Sequence, residues 1–175
     1  MLDTLIQSKT RLRLLLRFFL NPESKAYLRG LAQEFDESTN AVRVELNRFE
    51  EAGLVKSEKQ GNKKMFRVNT KFPLFEELQQ IAFKHFGIDY IISKVIKKLG
   101  DVQAVYITGD LARGLDSEIV DITVIGDKID SAYLITLTEK AEKYINRKIR
   151  ALVYNIDEKI KIEEPKLLIF GEVIK

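Results

Sequence analysis

The sequence contains no cysteine. This absence excludes disulfide bonds, thiolate metal sites and cysteine nucleophiles. It also suits a reducing compartment, and we expect a cytoplasmic protein. Long apolar runs are missing too, since the most apolar early stretch, Leu12 to Leu20, is interrupted by Arg13 and Arg17. That stretch is too short for a bilayer span and no small-residue cleavage site follows it, so we expect neither a membrane segment nor a targeting peptide.

Histidine is almost absent as well, because His85 is the only one in the chain. It lies between Lys84 and Phe86 in a predicted helix. A single histidine in such a place is far more often a surface or packing residue than a metal ligand or a catalytic base. We therefore assign it no function, and we expect no cofactor.

Charge is unevenly divided along the 175 residues. Residues 1–72 carry 14 Lys and Arg against 9 Asp and Glu, a net charge of +5, whereas residues 73–175 carry 15 against 17, a net charge of −2. A basic first part joined to a mildly acidic second part indicates two functions, with a polyanionic partner on the first part. The excess is modest, so the positions of the cations matter more than their number.

Three helices and a hairpin are predicted between Lys9 and Thr70, because apolar side chains recur there at helical spacing and then in short strands. Ser38 is a suitable N-cap for the third helix, and Gly53 a suitable residue to end it. The hairpin turns at Gln60-Gly61-Asn62-Lys63. The predicted helices run from Lys9 to Leu20, from Lys25 to Phe35 and from Ser38 to Ala52. This order is that of a winged helix-turn-helix.

The remainder of the chain predicts two further helices, between Pro73 and Leu99 and separated at Gly87, and then a small α/β domain. The predicted strands of that domain are Val102 to Thr108, Ile119 to Ile125, Ile149 to Tyr154 and Leu167 to Phe170, with a helix from Ala132 to Asn146. We therefore expect an α+β protein with a winged helix-turn-helix over residues 1–72, a helical linker over 73–99 and an α/β domain over 100–175.

The second and third predicted helices would form the helix-turn-helix motif. The second helix of such a motif, here the third predicted helix, lies in the major groove of DNA, so its groove-facing residues are those that the core does not use. The residues predicted to face the core are Ala41, Val42, Leu46 and Phe49. Those that remain are Thr39, Asn40, Arg43, Asn47 and Arg48. The hairpin adds Lys59, Asn62, Lys63, Lys64 and Arg67. Any one of these alone is better explained as a solvated residue, but their joint location favours a surface that binds double-stranded DNA.

Residues 9–70 resemble the winged helix of ArsR-type and related bacterial or archaeal regulators, chiefly in NAVRVEL, EEAGLV and the hairpin sequence GNKK. The resemblance implies a homodimer on a palindromic operator. Family members that sense metals use cysteine or histidine clusters, which this chain lacks. The dimer surface stays open among the first helix, the Pro73 to Leu99 helices and the C-terminal domain.

Residues 105–126, VYITGDLARGLDSEIVDITVIG, resemble the signature of minimal nucleotidyltransferases. Gly109, the Ala112-Arg113-Gly114 turn and Asp121 match it. The fusion of a winged helix with such a domain itself resembles a small family of regulators. In the working enzymes a Gly-Ser turn holds a triphosphate, and two carboxylates one residue apart on a strand share two metal ions.

Three positions depart from that signature. Asp110 stands where the serine is expected, Thr123 replaces the second carboxylate, and Arg150 aligns with a third acidic or amide residue. A guanidinium at position 150 can pair with Asp121 or with Asp110 but cannot hold magnesium. We therefore expect a domain without catalysis that serves dimerisation or the sensing of a nucleotide or small-molecule ligand. The alternatives are an active nucleotidyltransferase with the winged helix as a docking module, and a hairpin that contacts protein.

Overall fold

The structure is a computed structural model that describes residues 2–158, 162 and 165–173. The chain divides into two compact units, Met1–His85 and Phe86–Lys175. The first unit therefore extends past residue 72, and the second begins within the segment 73–99 that the sequence predicts to be a helical linker. None of the helices in the described residues has both the length and the apolar character needed to cross a membrane.

The first unit places a helix-turn-helix beside a three-stranded antiparallel sheet. In chain order its elements are α1 (Leu2–Leu5), α2 (Lys9–Leu20), β1 (Ala26–Tyr27), α3 (Leu28–Phe35), α4 (Thr39–Glu51), β2 (Val55–Gln60), β3 (Lys63–Val68) and α5 (Phe75–Phe86). The strand order is β1-β3-β2. Helices α3 and α4, a hairpin, and a short strand on its far side form the winged-helix arrangement that the sequence predicts.

Side-chain hydrogen bonds cap the starts of two helices in the first unit. The Ser8 hydroxyl accepts a hydrogen bond from the backbone N–H of Arg11 at the start of α2, and the Ser38 hydroxyl accepts one from that of Ala41 at the start of α4, both at 3.2 Å. Each cap satisfies a backbone donor that has no partner within its helix. Gly53 follows α4 with a φ of +77°, a conformation that favours glycine. The predicted cap at Ser38 and the predicted end at Gly53 are confirmed.

The predicted start of the second helix is wrong. Ala26 and Tyr27 form β1 instead, and they pair with Phe66 and Met65 of β3, much later in the chain. The helix begins only at Leu28. Local spacing cannot show such a pairing, because it exists only once the hairpin has folded back against this segment.

The hairpin has the short turn that the sequence predicts. Its register pairs Val55 with Val68 and ends at Gln60 with Lys63, so that Gly61 and Asn62 form the tip. Gly61 has a φ of +59°, which matches the first central position of a type II′ turn. Phe66 and Val68 point into the core, whereas the tip is fully exposed.

The second unit contains a four-stranded mixed sheet with helices. Its elements are α6 (Ile88–Lys94), a 3₁₀ helix (Ile96–Lys98), β4 (Val102–Thr108), α7 (Gly109–Ala112), β5 (Ile119–Gly126), α8 (Ser131–Ile145), β6 (Lys148–Tyr154) and β7 (Leu167–Gly171). The strand order is β6-β5-β4-β7; β5 and β6 are parallel and the other pairs antiparallel. All four predicted strands and the helix between the second and third are confirmed to within one residue at each end.

Buried aliphatic residues of β4 and β5 form the centre of the second unit. Val105, Ile107, Val120, Ile122 and Val124 are each at most 1% exposed. A second apolar cluster joins Ala104, Tyr106 and Ile125 to Ile156, Ile162 and Leu168. The same two strands carry residues of the nucleotidyltransferase-like signature next to this core.

Candidate nucleic-acid interface

Helix α4 divides cleanly into a buried side and an exposed side. Val42, Leu46 and Phe49 are buried, as the sequence predicts, whereas Ala41 is only half-buried. The five predicted contact residues are all exposed, and we call them the recognition face: Thr39, Asn40, Arg43, Asn47 and Arg48. Their exposure makes them accessible to a partner, and their binding to DNA stays a prediction.

Glu45 is a buried acidic residue beside the recognition face, and the sequence analysis did not identify it. Its side chain is 9% exposed, and it accepts hydrogen bonds from Ser8 Oγ (3.1 Å), from Arg11 Nε and Nη2 (2.9 and 3.2 Å) and from Arg48 Nη1 (3.1 Å). Glu45 therefore links α2 to α4 and also holds one residue of the recognition face. The acidity of Glu45 by itself predicts a surface position, and its partner Arg11 belongs to a helix far earlier in the chain.

The Glu45 carboxylate is charged despite its burial. Burial acts to raise its pKa, but the hydrogen bonds from Arg11 and Ser8 and the positive charges of Arg11 and Arg48 outweigh that effect and leave the pKa below its ordinary value. The anion in turn fixes the Arg48 guanidinium, which is still 58% exposed at the surface. Arg48 is thus held in place by Glu45 while much of its side chain stays accessible to solvent.

Arg43 and Asn47 differ from Arg48, because neither side chain forms a hydrogen bond or an ion pair within the described residues. They lie one turn apart on the exposed side of the helix. A guanidinium matches the acceptors of guanine, and an amide matches the donor and acceptor of adenine. The centre of the recognition face therefore offers side chains whose donors are all available to base edges.

Two of the predicted hairpin lysines already have partners within the chain. Lys64 donates to Glu50 of α4 at 2.6 Å, and Glu50 also accepts from Ser57; the hydrogen bond from Lys64 is the main reason that the pKa of Glu50 is lowered. The ammonium of Lys63 lies 4.2 Å from the centroid of the Tyr27 ring. Both predicted lysines are exposed but already have partners, and Lys64 ties the hairpin to α4.

The other three predicted hairpin residues, Lys59, Asn62 and Arg67, are exposed and make no side-chain hydrogen bond or ion pair in the part of the chain that the structure describes. Arg67 does contribute positive charge near Glu58, whose pKa is lowered chiefly by its hydrogen bond from Lys25. Among the predicted contact residues of the hairpin, Lys59 and Arg67 are therefore the cations most available to an outside anion.

In the second unit, Asp121 lies at the meeting point of three strands. It pairs in register with Thr108 of β4 and with Arg150 of β6. Arg150 Nε donates to Asp121 Oδ1 at 2.5 Å, which is one of the two pairings that the sequence allows. This hydrogen bond to Asp121 raises the pKa of Arg150. Asp121 is thereby neutralised by a residue of its own chain.

Gly109 is required beside this pair. It has a φ of +65°, and a Cβ at this position would lie 2.5 Å from Asp121 Oδ2. Asp110 does not join the pair; it is 55% exposed and lies 3.7 Å from Arg113. Thr123 is 3% exposed. The structure thus brings together three members of the predicted vestigial motif, Gly109, Asp121 and Arg150, and leaves Asp110 apart.

These residues do not fit the two metal ions that the nucleotidyltransferase signature implies. Among the described residues of the signature that lie at the centre, Asp121 is the one carboxylate. Thr123, two residues further along the strand, supplies a buried hydroxyl, and the third ligand position holds the Arg150 guanidinium, which is already bonded to Asp121. No group of three or more His, Asp or Glu side chains within the described ranges is arranged to hold a metal ion.

No protein-family model and no curated protein matches the chain. Three solved structures are similar to about half of it. Reduced HlyU from Vibrio cholerae N16961 is 16% identical, with 47% of this chain and 82% of that chain covered and a TM-score of 0.38. AF1382 from Archaeoglobus fulgidus is 21% identical, with 53% and 98% covered and a TM-score of 0.38. A possible transcriptional regulator for arsenical resistance is 26% identical, with 51% and 88% covered and a TM-score of 0.32. Likeness at these TM-scores carries no function over to this chain.

Proposed function

We propose that the chain is a transcriptional regulator that binds double-stranded DNA through the recognition face of α4 and the hairpin β2–β3. One observation carries this proposal: Asn40, Arg43 and Asn47 form an exposed, donor-rich row on the second helix of a helix-turn-helix. These side chains have no hydrogen-bond or ion-pair partner within the described residues. In this geometry the row enters the major groove, and the flanking cations meet phosphates.

The proposed regulator acts as a homodimer on a palindromic operator, as the resemblance to ArsR-type regulators implies. Two copies related by a twofold axis would place their recognition helices about 34 Å apart, one turn of DNA. A half-site spacing of about 10 base pairs in bound sequences, together with twice the chain mass on DNA, would support this assembly.

Selection from a pool of randomised duplexes tests the proposal. The full chain is incubated with the pool at low salt, and bound duplexes are recovered and sequenced over several rounds. We expect a short motif to be enriched. Recovery of no motif, together with no retention of any duplex at the lowest salt, would contradict DNA binding altogether. Recovery of duplexes that share no motif would contradict base recognition by α4.

For the second unit we propose a scaffold that does not transfer nucleotides and that serves ligand sensing or dimerisation. The support is the ion pair between Asp121 and Arg150, which occupies the carboxylate that a metal would need. A fold can be retained after the chemistry of its site has been lost.

Nucleotidyl transfer is the second candidate function, and one observation favours it. A Cβ at Gly109 would lie 2.5 Å from Asp121 Oδ2, a close approach that is expected where a turn and a catalytic carboxylate share a site. Incubation with labelled nucleoside triphosphates and magnesium separates the two candidates. We expect no label on RNA, on small molecules or on the protein itself. Incorporation that disappears in the Asp121→Ala variant would establish the enzyme instead.

A further inference from the structure

The exposed side of α4 also carries an apolar residue, Val44, which is 43% exposed. Valine is a poorer helix former than alanine, lysine or glutamate. Its exposure also forfeits part of the stabilisation that burial gives Val42 on the opposite side. A single exposed valine is common on protein surfaces. What sets Val44 apart is its position among the polar donors of the recognition face.

The position of Val44 within α4 is central to the recognition face. At about 100° per residue, Val44 lies about 40° around the helix from Asn40 and about 60° from Asn47, so that all three point the same way. Arg43 and Arg48 lie on either side of this row, and both are exposed. Val44 is thus an apolar patch framed by amide and guanidinium groups.

This pattern matches one feature of the major groove. Among the four bases, thymine alone presents an apolar group there, its C5-methyl, beside a carbonyl acceptor. Amide and guanidinium donors beside a valine are complementary to that combination. The valine side chain is also stiff in a helix, so its two methyl groups are held at fixed positions.

An acidic residue marks the end of the contact zone. Glu51 lies two turns after Val44 on the same side of the helix, and it is exposed. A carboxylate there would repel phosphates, which favours contact by the first two turns of α4 over the last. Val44 therefore lies within the part of the helix that can approach base edges, as expected for a helix that enters the groove with its N-terminal end.

We propose that Val44 contacts the C5-methyl group of a thymine and helps to determine which sequence the protein binds. The inference rests on the proposed DNA binding and adds a residue and a base to it. Its consequence is specific: removal of that one methyl group from the DNA should weaken binding, although every hydrogen-bonding group of the base remains.

Deoxyuridine substitution tests the inference. Each thymine of the selected duplex is replaced in turn by deoxyuridine, and the Kd of the full chain is measured by fluorescence anisotropy. We expect at least one position where the substitution weakens wild-type binding about fourfold, the effect of exposing one buried methyl group. In Val44→Ala the penalty at that position should vanish. Val44→Thr keeps one methyl group and should retain part of it.

Leu5→Ala is the matched control, because Leu5 is an exposed aliphatic residue outside α4 and is 77% exposed. This variant should keep the full deoxyuridine penalty. Unchanged circular dichroism of Val44→Ala would show that the helix is intact. A wild type that binds but shows no penalty at any thymine would overturn the inference, as would a penalty that persists in Val44→Ala. Both results would leave the proposed DNA binding standing, whereas a failure to bind any duplex would contradict that function itself.

Discussion

Arg43 and Arg150 are both exposed arginines on regular elements, yet their surroundings differ. Arg43 has no carboxylate partner within the described residues, whereas Arg150 is bonded to Asp121 at 2.5 Å. A free guanidinium can neutralise a phosphate and release its counterions, but one already paired gains little from doing so. The number of cations in each unit is therefore a weaker guide to function than whether each cation has a carboxylate partner within the chain.

The largest expected effect comes from Arg43→Ala. A bidentate contact to guanine contributes about 1–3 kcal/mol of discrimination, so affinity for the selected duplex should fall roughly 5-fold to 150-fold, whereas affinity for a scrambled duplex should fall much less. Anisotropy titrations with both duplexes measure this. Arg150→Ala is the control with the same chemical change in the other unit, and its affinity for both duplexes should match that of the wild type. Equal losses in the two variants would remove the distinction between the units.

Glu45→Gln should have the next largest effect, because it removes the charge that Arg11 and Arg48 share. We expect a loss of about 1–3 kcal/mol in stability, since hydrogen bonds to a charged group are the stronger kind. Thermal unfolding should then begin several degrees lower than in the wild type. Glu51→Gln, an exposed acid at the end of the same helix, should change stability by less than about 0.5 kcal/mol.

Acid should reproduce this loss in the wild type. Because the pKa of Glu45 is lowered on folding, the folded state binds fewer protons, and the stabilisation is complete above the unfolded pKa of about 4.3. It is lost as the pH falls below that value. The difference in free energy of unfolding between wild type and Glu45→Gln should therefore be constant near neutral pH and should shrink on acidification. A difference that grows toward low pH would contradict the assigned direction of the shift.

Hairpin cations should produce smaller and less selective effects. Lys59→Ala and Arg67→Ala should each weaken binding to selected and scrambled duplexes alike, and each should lower the slope of log K against log salt by about 1. Lys63→Ala should change that slope less, because its ammonium already lies over Tyr27. Titrations at several KCl concentrations give the slopes. Equal changes for all three residues would show that partners within the chain do not limit these cations.

The smallest effect is expected at the ion pair of the second unit. Because the Arg150 side chain is 68% exposed and solvent screens the pair, Asp121→Asn and Arg150→Ala should each lower the midpoint of chemical denaturation only slightly. Chemical denaturation of the full chain measures this. A much larger loss would show that the pair has a structural role greater than its exposure suggests, and would weaken its interpretation as the remnant of a catalytic site.

Much of the fold could be predicted because its signals are local. The cap at Ser38, the turn at Gly61-Asn62 and the apolar strands β4 and β5 each depend on a few neighbouring residues, and all are confirmed. The short strand β1 could not be predicted, because its partner strand β3 comes much later in the chain. The first helix α1 gave no periodic signal, because it is little more than one turn long.

The same distinction applies to the site. The exposed polar residues of α4 can be found by setting aside the apolar residues that face the core, and all five members of the recognition face are indeed exposed. The same reasoning does not identify Glu45, which is polar but buried, or Val44, which is apolar but exposed. Neither can be recognised from residue type alone. The burial of Glu45 depends on Arg11, in a helix distant in sequence.

Hydrogen–deuterium exchange of the full chain, with and without the selected duplex, tests the central claim most directly. We expect DNA to slow exchange in Thr39–Glu51 and in the hairpin Val55–Val68, and to leave β5 and β6, which carry Asp121 and Arg150, unchanged. Slowed exchange confined to β5 and β6, or no change anywhere under conditions of saturating DNA, would contradict the account.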